Sequence, residues 1–418
     1  MVKIVGKNNM ERRMINPLSG FAFFVGVVCI LNLVLNMVNG RFWLSDFKVY
    51  YMAAKTLLSG GQVYLQSFAE GSGFYKYSPF TLFFFLPYCL FNYTIACIIH
   101  FLILSFSFWY TFIIIRRILM DYFAFRSIKH EGLLLSVTLL CILLHLVREL
   151  YLGNINIILL LLSALALRYF LSGKQFAGGL LFGIVLMTKP FFLVLIIPLM
   201  LRKQWKAIRW LFLMLVIGLV LPFLYPGPGK AMILYSDWIK IMLIHDQEFP
   251  GMNSLDYILQ YYFFPALPSY AGHFIILLGG LTIAFFILMN RRSEKNASES
   301  KEPANRNFIY EWFLIIALIP NLVKTDSEHF LSTLPILIFI IYYIAFGRKF
   351  WLIPVMVILI FFYGGNSYDL LGRDLSLKLF SMGLLGLSNI LIIILSLFLY
   401  LDFRNKMWLT LDKEGTSS

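Results

Sequence analysis

The stretch Leu18-Ser-Gly-Phe-Ala-Phe-Phe-Val25-Gly-Val-Val-Cys-Ile30-Leu-Asn-Leu-Val-Leu35-Asn-Met-Val38, followed closely by Arg41-Phe-Trp-Leu-Ser-Asp46-Phe-Lys-Val-Tyr50-Tyr51, decides the fold class. The first part carries no charge, and as a helix rising about 1.5 Å per residue it reaches across the roughly 30 Å hydrocarbon core of a bilayer. The second part sets a carboxylate among aromatics at the foot of that helix, where a charge is costly unless it is paired, hydrated or used. A basic start precedes the apolar run, but the run is overlong and lacks a small-residue cleavage site. We read it as an uncleaved first helix.

Working outward, the 418 residues are 60% hydrophobic and 13% charged, with a mean hydropathy of +0.81. Soluble domains carry about 25% charged residues, so a soluble globular chain is excluded. Repeated apolar runs predict an all-α polytopic membrane protein. The net charge of +14 does not point to nucleic acid, because the basic residues gather in short inter-helix clusters instead of one continuous face. These are Lys3/Lys7/Arg12/Arg13, Arg116/Arg117/Arg126/Lys129, Arg202/Lys203/Lys206/Arg209, Arg291/Arg292/Lys295/Lys301/Arg306, Arg348/Lys349 and Arg404/Lys406. That pattern assigns those loops to the cytoplasmic side. Cys29, Cys89, Cys97 and Cys141 lie in apolar stretches without metal-ligand spacing or a disulfide framework.

The layout expected from the apolar runs is one integral-membrane domain over residues 1–418 with about twelve crossings and both termini cytoplasmic. It has a first external loop at 40–78, a second at 225–271, a flexible cytoplasmic loop at 290–307 and a cytoplasmic tail at 402–418. Pro87 and Asn92 interrupt Pro79 to Ile115, which predicts a short in-plane or half-membrane helix and then one true crossing. Phe176–Met187 and Phe191–Leu201 are each too short to span, and Thr188-Lys189-Pro190 separates them. Short or broken helices at membrane depth are tolerated where they line a cavity, so Lys189 is expected to face a polar site and not lipid. With this layout most of the 35 Lys+Arg fall inside, while the 21 Asp+Glu divide almost evenly.

Four separated polar clusters are then expected at the outer face: the Asp46 loop, Arg148–Asn156, Lys189, and Lys324–His329, with Asn253–Asp256 as a fifth candidate. Together they supply what glycosyl transfer from a lipid phosphate needs. A carboxylate, Asp46, can take the proton of an attacking hydroxyl. Arg148, Lys189 and His329 can stabilise charge growing on a phosphate leaving group in a water-poor site. Tyr50, Tyr51, Tyr64, Tyr75 and Tyr77 can stack on a sugar ring, although an interfacial aromatic belt explains them equally well. Asp46 has the alternative of pairing with Lys48 or Arg41, Arg148 that of an interface anchor, and His329 that of a capping residue. His100 and His145, in apolar runs without evident partners, are read as structural.

Several of these stretches together resemble glycosyltransferase family 87, polyprenyl-phosphate-mannose-dependent transferases of the GT-C fold. They are Asp46-Phe-Lys-Val-Tyr50-Tyr-Met-Ala-Ala-Lys, Gly60-Gly-Gln-Val-Tyr64 and Phe74-Tyr-Lys-Tyr77-Ser-Pro79. Arg148-Glu-Leu-Tyr151-Leu-Gly153-Asn154-Ile-Asn156 is similar to that family's Arg-x-x-x-x-Gly-Gln-x-Asn element, with Asn154 where Gln is usual. Gly178-Gly179-Leu-Leu-Phe-Gly183 through Thr188-Lys189-Pro190 resembles its Gly-rich helix ending in Lys-Pro. Asn253-Ser254 matches part of an Asn-Gln-Ser loop, without the Gln, and Asp326-x-x-His329 a late acidic–histidine element.

The resemblance implies a GT-C fold and a metal-independent, inverting transferase without a cofactor. Asp46 would be the general base. Lys189, Arg148 and His329 would hold the donor phosphate, and Tyr50, Tyr77, Tyr151, Asn154, Asn156, Asn253 and Lys324 would bind substrate. The donor would be a polyprenyl-phosphate hexose, mannose being the commonest in the family, and the acceptor a glycolipid or polysaccharide outside the cytoplasmic membrane. Oligomeric state is not legible. The chief alternative is a transporter or flippase for a lipid-linked or anionic substrate, because short broken helices and an intramembrane Lys also describe a substrate pathway. A lipid scaffold and a lipid-linked polymer ligase are further readings.

Overall fold

The computed structural model describes residues 7–42, 44–68, 73–123, 125, 130–248, 251–265, 271–295 and 302–415. Lys3, Arg126, Lys129 and Lys301 lie outside them, as do the side chains of Lys7, Arg12, Arg13 and Lys295. Among the described residues the chain is helical. Its one β feature is an isolated antiparallel bridge between Ser67 and Phe74.

The chain divides into two compact units. The first comprises Met1–Arg117, His130–Val137 and Leu143–Pro250. In chain order it holds α1 (Lys7–Val38), α2 (Ser45–Leu58), α3 (Leu82–Phe85), most of α4 (Tyr93–Tyr122) and of α5 (Glu131–Cys141), and α6 (Leu143–Leu152). It continues with α7 (Asn156–Leu171), α8 (Gln175–Thr188), α9 (Ile196–Leu201), α10 (Trp205–Leu224) and α11 (Pro228–Glu248). The second unit, Ile118–Lys129, Thr138–Ile142 and Gly251–Ser418, holds α12 (Leu255–Tyr262), α13 (Ala271–Lys295), α14 (Glu302–Leu322) and α15 (Leu334–Phe346). It ends with α16 (Ile353–Gly364), α17 (Tyr368–Leu371), α18 (Arg373–Ser381) and α19 (Leu384–Gly415).

Among the described residues, five helical stretches are long and apolar enough to cross a membrane alone: Leu18–Val38, Tyr93–Tyr122, Trp205–Leu224, Ser327–Phe346 and Leu384–Lys406. The pair α5 and α6, bent by 64°, makes a sixth if it is one broken span. Shorter apolar helices accompany them at Pro79–Leu90, Asn156–Leu171, Gln175–Thr188, Pro190–Leu201 and Phe350–Gly364. On α10 the large side chains Phe212, Ile217 and Val220 are exposed. Such a face is a liability in water and the ordinary surface of a protein whose solvent is lipid. The chain is a helical membrane protein.

The interruptions fall where the sequence predicts. Pro79–Leu90 forms two 3-10 turns flanking α3, and α4 starts at Tyr93, where the Asn92 side chain accepts the Ile95 N–H at 3.0 Å. That contact caps an otherwise orphaned donor of the first turn. α8 stops at Thr188, and Lys189 is extended at φ −133, ψ 96, as a residue before proline prefers. Three boundaries differ from expectation. Much of the stretch 225–271 is helical, as α11 and α12. The expected flexible loop 290–307 is helix at both ends, because α13 runs to Lys295 and α14 begins at Glu302; residues 296–301 lie outside the described part. The expected tail continues α19 to Gly415. Polar composition suggested loops there, but Lys, Arg and Glu are good helix formers and extend a membrane helix beyond its apolar part.

Glycines set the packing in the first unit. A Cβ on Gly183 would lie 2.5 Å from Met214 Cβ, and one on Gly179 2.7 Å from the Ala207 carbonyl oxygen, both on α10. On the neighbouring helix face, a Cβ on Gly178 would lie 2.5 Å from the Phe170 ring of α7. Small residues let helices approach closely where burial in lipid gives no hydrophobic drive. α8 is thereby wedged between α7 and α10, and Lys189 follows directly at its C-terminal end.

In the second unit the glue is amide side chains. Asn389 Nδ2 on α19 donates to the Ala317 carbonyl (2.8 Å) and to Asn321 Oδ1 (2.7 Å), both on α14, while Thr333 Oγ1 donates to Asn389 Oδ1 at 2.7 Å. In a membrane-buried core such interhelical bonds contribute about 0.6–2 kcal/mol each.

Candidate active site

The tightest polar constellation in the first unit begins at Gly153, between α6 and α7. Its φ of +67 suits glycine, and a Cβ there would come within 2.9 Å of the Cβ atoms of both Leu44 and Phe47. The turn therefore presses against the start of α2 and carries Asn154 to Asp46. His100 holds the same turn from the other side. Its Nε2 lies 2.9 Å from the Gly153 carbonyl oxygen and its Nδ1 3.1 Å from the Tyr88 hydroxyl, and its ring stacks on Phe47 with centroids 4.2 Å apart. His100 thus has the partners that its apolar run conceals, and its role is structural as read.

Asp46 stands in the first turn of α2, where the helix dipole favours a negative charge. Asn154 Nδ2 donates to Asp46 Oδ2 at 2.7 Å. The amide orientation follows from its other contacts, because Asn154 Oδ1 accepts the Ile155 N–H (2.7 Å) and the Tyr77 hydroxyl (3.2 Å). Tyr77 spends its proton on Asn154, so Tyr50, 2.9 Å away, donates to Tyr77. Burial, with Tyr77 and Asp46 close by, pushes the Tyr50 phenol well above its usual range, so it stays a donor at neutral pH. The chain Tyr50–Tyr77–Asn154–Asp46 therefore runs in one direction and ends on the carboxylate. Tyr64 anchors it from behind, donating to the Tyr77 carbonyl at 2.8 Å.

A second chain ends on Lys189. Its Nζ donates to Asn156 Oδ1 at 2.5 Å, and Asn156 Nδ2 donates to Glu149 Oε2 at 2.9 Å. The other Glu149 oxygen accepts the Ile157 N–H at 3.0 Å, in the first turn of α7. Glu149 is fully buried and Lys189 nearly so. A carboxylate and an ammonium are expensive to bury, and the Asn156 amide between them offers each a dipole of the right sign. Lys189 Nζ also lies 5.5 Å from the centroid of the Tyr77 ring, which ties the two chains together. Lys189 faces this polar cluster, as expected.

Of the residues singled out from sequence, Asp46, Tyr50, Tyr77, Asn154, Asn156 and Lys189 come together here. Arg148 and Tyr151 are exposed on α6, while Glu149 is buried. Asn253, Lys324 and His329 belong to the second unit. There Asn253 is buried, its Oδ1 accepting the Gly386 N–H at 3.2 Å and its carbonyl accepting Asn321 Nδ2 at 2.9 Å. The Lys324 stem lies across Gly251, where a Cβ would come within 2.5 Å of Lys324 Cγ, and His329 Nδ1 is 3.9 Å from Glu328 Oε1. Glu149 is the residue that sequence reasoning missed. Its signal was a carboxylate in an apolar helix one turn before a glycine turn, but Arg148 beside it drew the attention.

A helical membrane protein with a carboxylate and a cation held by converging hydrogen-bond chains is built for polar chemistry next to lipid. The model of glycosyltransferase family 87 matches residues 74–301, more than half of the chain, and the protein belongs to that family. It is a glycosyltransferase. No curated protein matches the chain. The matched range includes Tyr77, Glu149, Asn154, Asn156 and Lys189 and stops short of Asp46, which Asn154 tethers to it.

Proposed function

We propose that the protein transfers a hexose, mannose in the first instance, from a polyprenyl-phosphate donor to a glycolipid or polysaccharide acceptor, with inversion at the anomeric carbon. Asp46 takes the proton of the acceptor hydroxyl, and the freed oxygen attacks C1. The C1–O bond to phosphate breaks, and the lipid phosphate leaves with the bonding pair toward the Lys189 ammonium. No metal or cofactor enters this scheme. The observation that carries it is the Asn154 bond to Asp46, with Lys189 linked through Tyr77 to the same amide. A general base contributes about 10²–10⁴ in rate. An oriented cation stabilises the leaving phosphate most strongly where water is scarce.

The same proposal includes a GT-C arrangement of about twelve crossings in the cytoplasmic membrane, with cytoplasmic termini and Asp46 on the outer side. The basic clusters and the apolar helices support it.

The test is transfer of radiolabelled sugar from polyprenyl-phosphate mannose to a membrane glycolipid extract by the purified protein in nanodiscs. Asp46→Asn should abolish transfer while donor binding and melting temperature stay at wild-type values. Equal transfer by both proteins would remove Asp46 from the chemistry. Arg148→Ala and His329→Ala in the same assay test the assignment of those side chains to the donor phosphate.

A further inference from the structure

The motif Gly60-Gly-Gln-Val-Tyr64 joins the Asp46 cluster only through Tyr64, and it lines a cavity of about 430 Å³ against α11. That volume lies within the roughly 300–1,000 Å³ typical of small-molecule sites. One wall is Tyr64, whose hydroxyl holds the Tyr77 carbonyl, and α11 is tied to the same segment by Trp238 Nε1 donating to the Lys76 carbonyl at 3.0 Å. The cavity therefore shares its frame with the Asp46 cluster. Its polar poles are Lys230 and Asp237. They are seven residues apart on one helix face, about 10 Å at 1.5 Å per residue, with Ile233 and Leu234 between them.

The poles differ in character. Lys230 is exposed and has no ion-pair or hydrogen-bond partner among the described residues; its Nζ lies 3.0 Å from where a Gly60 Cβ would be, so the ammonium rests on the glycine turn at the rim. Asp237 is buried, and its Oδ1 accepts from Lys240 Nζ at 2.9 Å, which offsets its charge and leaves Oδ2 to accept a further donor. Gln62 adds an exposed amide at the edge. An unpartnered cation selects an anion, a buried carboxylate selects hydroxyls, and the apolar middle suits the C–H face of a sugar ring.

We propose that this cavity is a subsite for a phosphate-bearing glycan, with the phosphate on Lys230 and sugar hydroxyls on Asp237 and Gln62, and that it holds the acceptor. The acceptor role rests on the transferase reading; the binding itself does not.

The experiment measures binding to the purified full chain in nanodiscs of zwitterionic lipid, without donor. The probes are mannose 6-phosphate, mannose and inorganic phosphate, titrated calorimetrically. Mannose 6-phosphate should bind at least tenfold tighter than mannose or inorganic phosphate. Lys230→Ala should weaken it about tenfold, Lys230→Arg should restore it, and Asp237→Asn should weaken the sugar phosphate and not inorganic phosphate. Unchanged melting temperatures establish that the variants are folded. Binding indifferent to Lys230→Ala, or inorganic phosphate binding as tightly as the ester, overturns the proposal. Repeating the titration in discs containing phosphatidylglycerol separates two supporting outcomes. Competition there indicates a lipid-borne phosphoglycan, and its absence a soluble one. Binding that follows this pattern in a protein that transfers no mannose would sink the donor assignment and leave the subsite standing.

Discussion

Asn154 shows how much one side chain can decide. Its carbonyl is committed to Ile155 and Tyr77, so only its NH₂ group can face Asp46. A hydrogen bond to a charged group contributes about 1.5–3 kcal/mol and also fixes the carboxylate's direction. Asn154→Ala should lower kcat about a hundredfold, the loss expected when a catalytic group drifts by an ångström, with a smaller change in KM. Steady-state transfer kinetics check this. Glu149→Gln probes the other chain. Glutamine offers one oxygen where glutamate offers two, so either Asn156 Nδ2 or the Ile157 N–H loses its acceptor. Leaving one buried donor unsatisfied should lower stability by about 1–3 kcal/mol. Transfer should fall with it if Asn156 orients Lys189, whereas wild-type turnover in a destabilised variant would make Glu149 purely a helix cap.

At the scale of elements, glycines and phenols set the tolerances. Gly183 meets Met214 so closely that Gly183→Val must push α8 from α10. Overpacking of this kind costs about 1–3 kcal/mol, and the melting temperature in detergent should drop accordingly. Gly153→Ala carries two penalties, a left-handed backbone and a collision with Leu44 and Phe47, and should separate Asn154 from Asp46. The tyrosine cluster behind Asp46 has a different vulnerability. Burial holds the phenols of Tyr50, Tyr64 and Tyr75 well above their usual range. In the unfolded chain they ionise near pH 10, so their contribution is whole below about pH 10 and is lost as pH rises further toward the folded values. The Tyr75 hydroxyl has no hydrogen-bond partner among the described residues. Tyr75→Phe should therefore leave stability at pH 7 unchanged or raise it by about 1 kcal/mol, and should make the alkaline loss shallower. Chemical denaturation at pH 7 and pH 10.5 reads both.

For the whole molecule, the charge pattern makes a claim about sidedness. Ser59 is exposed at the end of α2 and should face outward, and Lys206, exposed at the start of α10, should face the cytoplasm. A membrane-impermeant maleimide should label Ser59→Cys in intact cells and Lys206→Cys only after permeabilisation, against a wild type whose four cysteines are buried or half-buried. The reverse pattern would invert the topology and move the proposed chemistry to the cytoplasmic side. The two units also differ in what binds their helices, glycine contacts in the first and the Asn253–Asn321–Asn389 amides in the second.

Composition and hydropathy alone determined that this is a helical membrane protein, because a hydrocarbon solvent penalises every unpaired backbone group and leaves a signal about twenty residues long. The break at Thr188-Lys189-Pro190 was equally legible, since proline acts on its own neighbours. Family membership was readable from motif order, which also singled out Asp46 and Lys189, residues that the fold places in one hydrogen-bonded cluster. Only the tertiary structure decided which side of α6 is buried, and so brought Glu149 into the cluster beside the exposed Arg148. It also gave His100 its partners and made Asn253 part of a packing network. These outcomes depend on helix rotation and on contacts between residues distant in sequence. The apolar pattern of a membrane helix is nearly uniform around its circumference, so it carries little information about either.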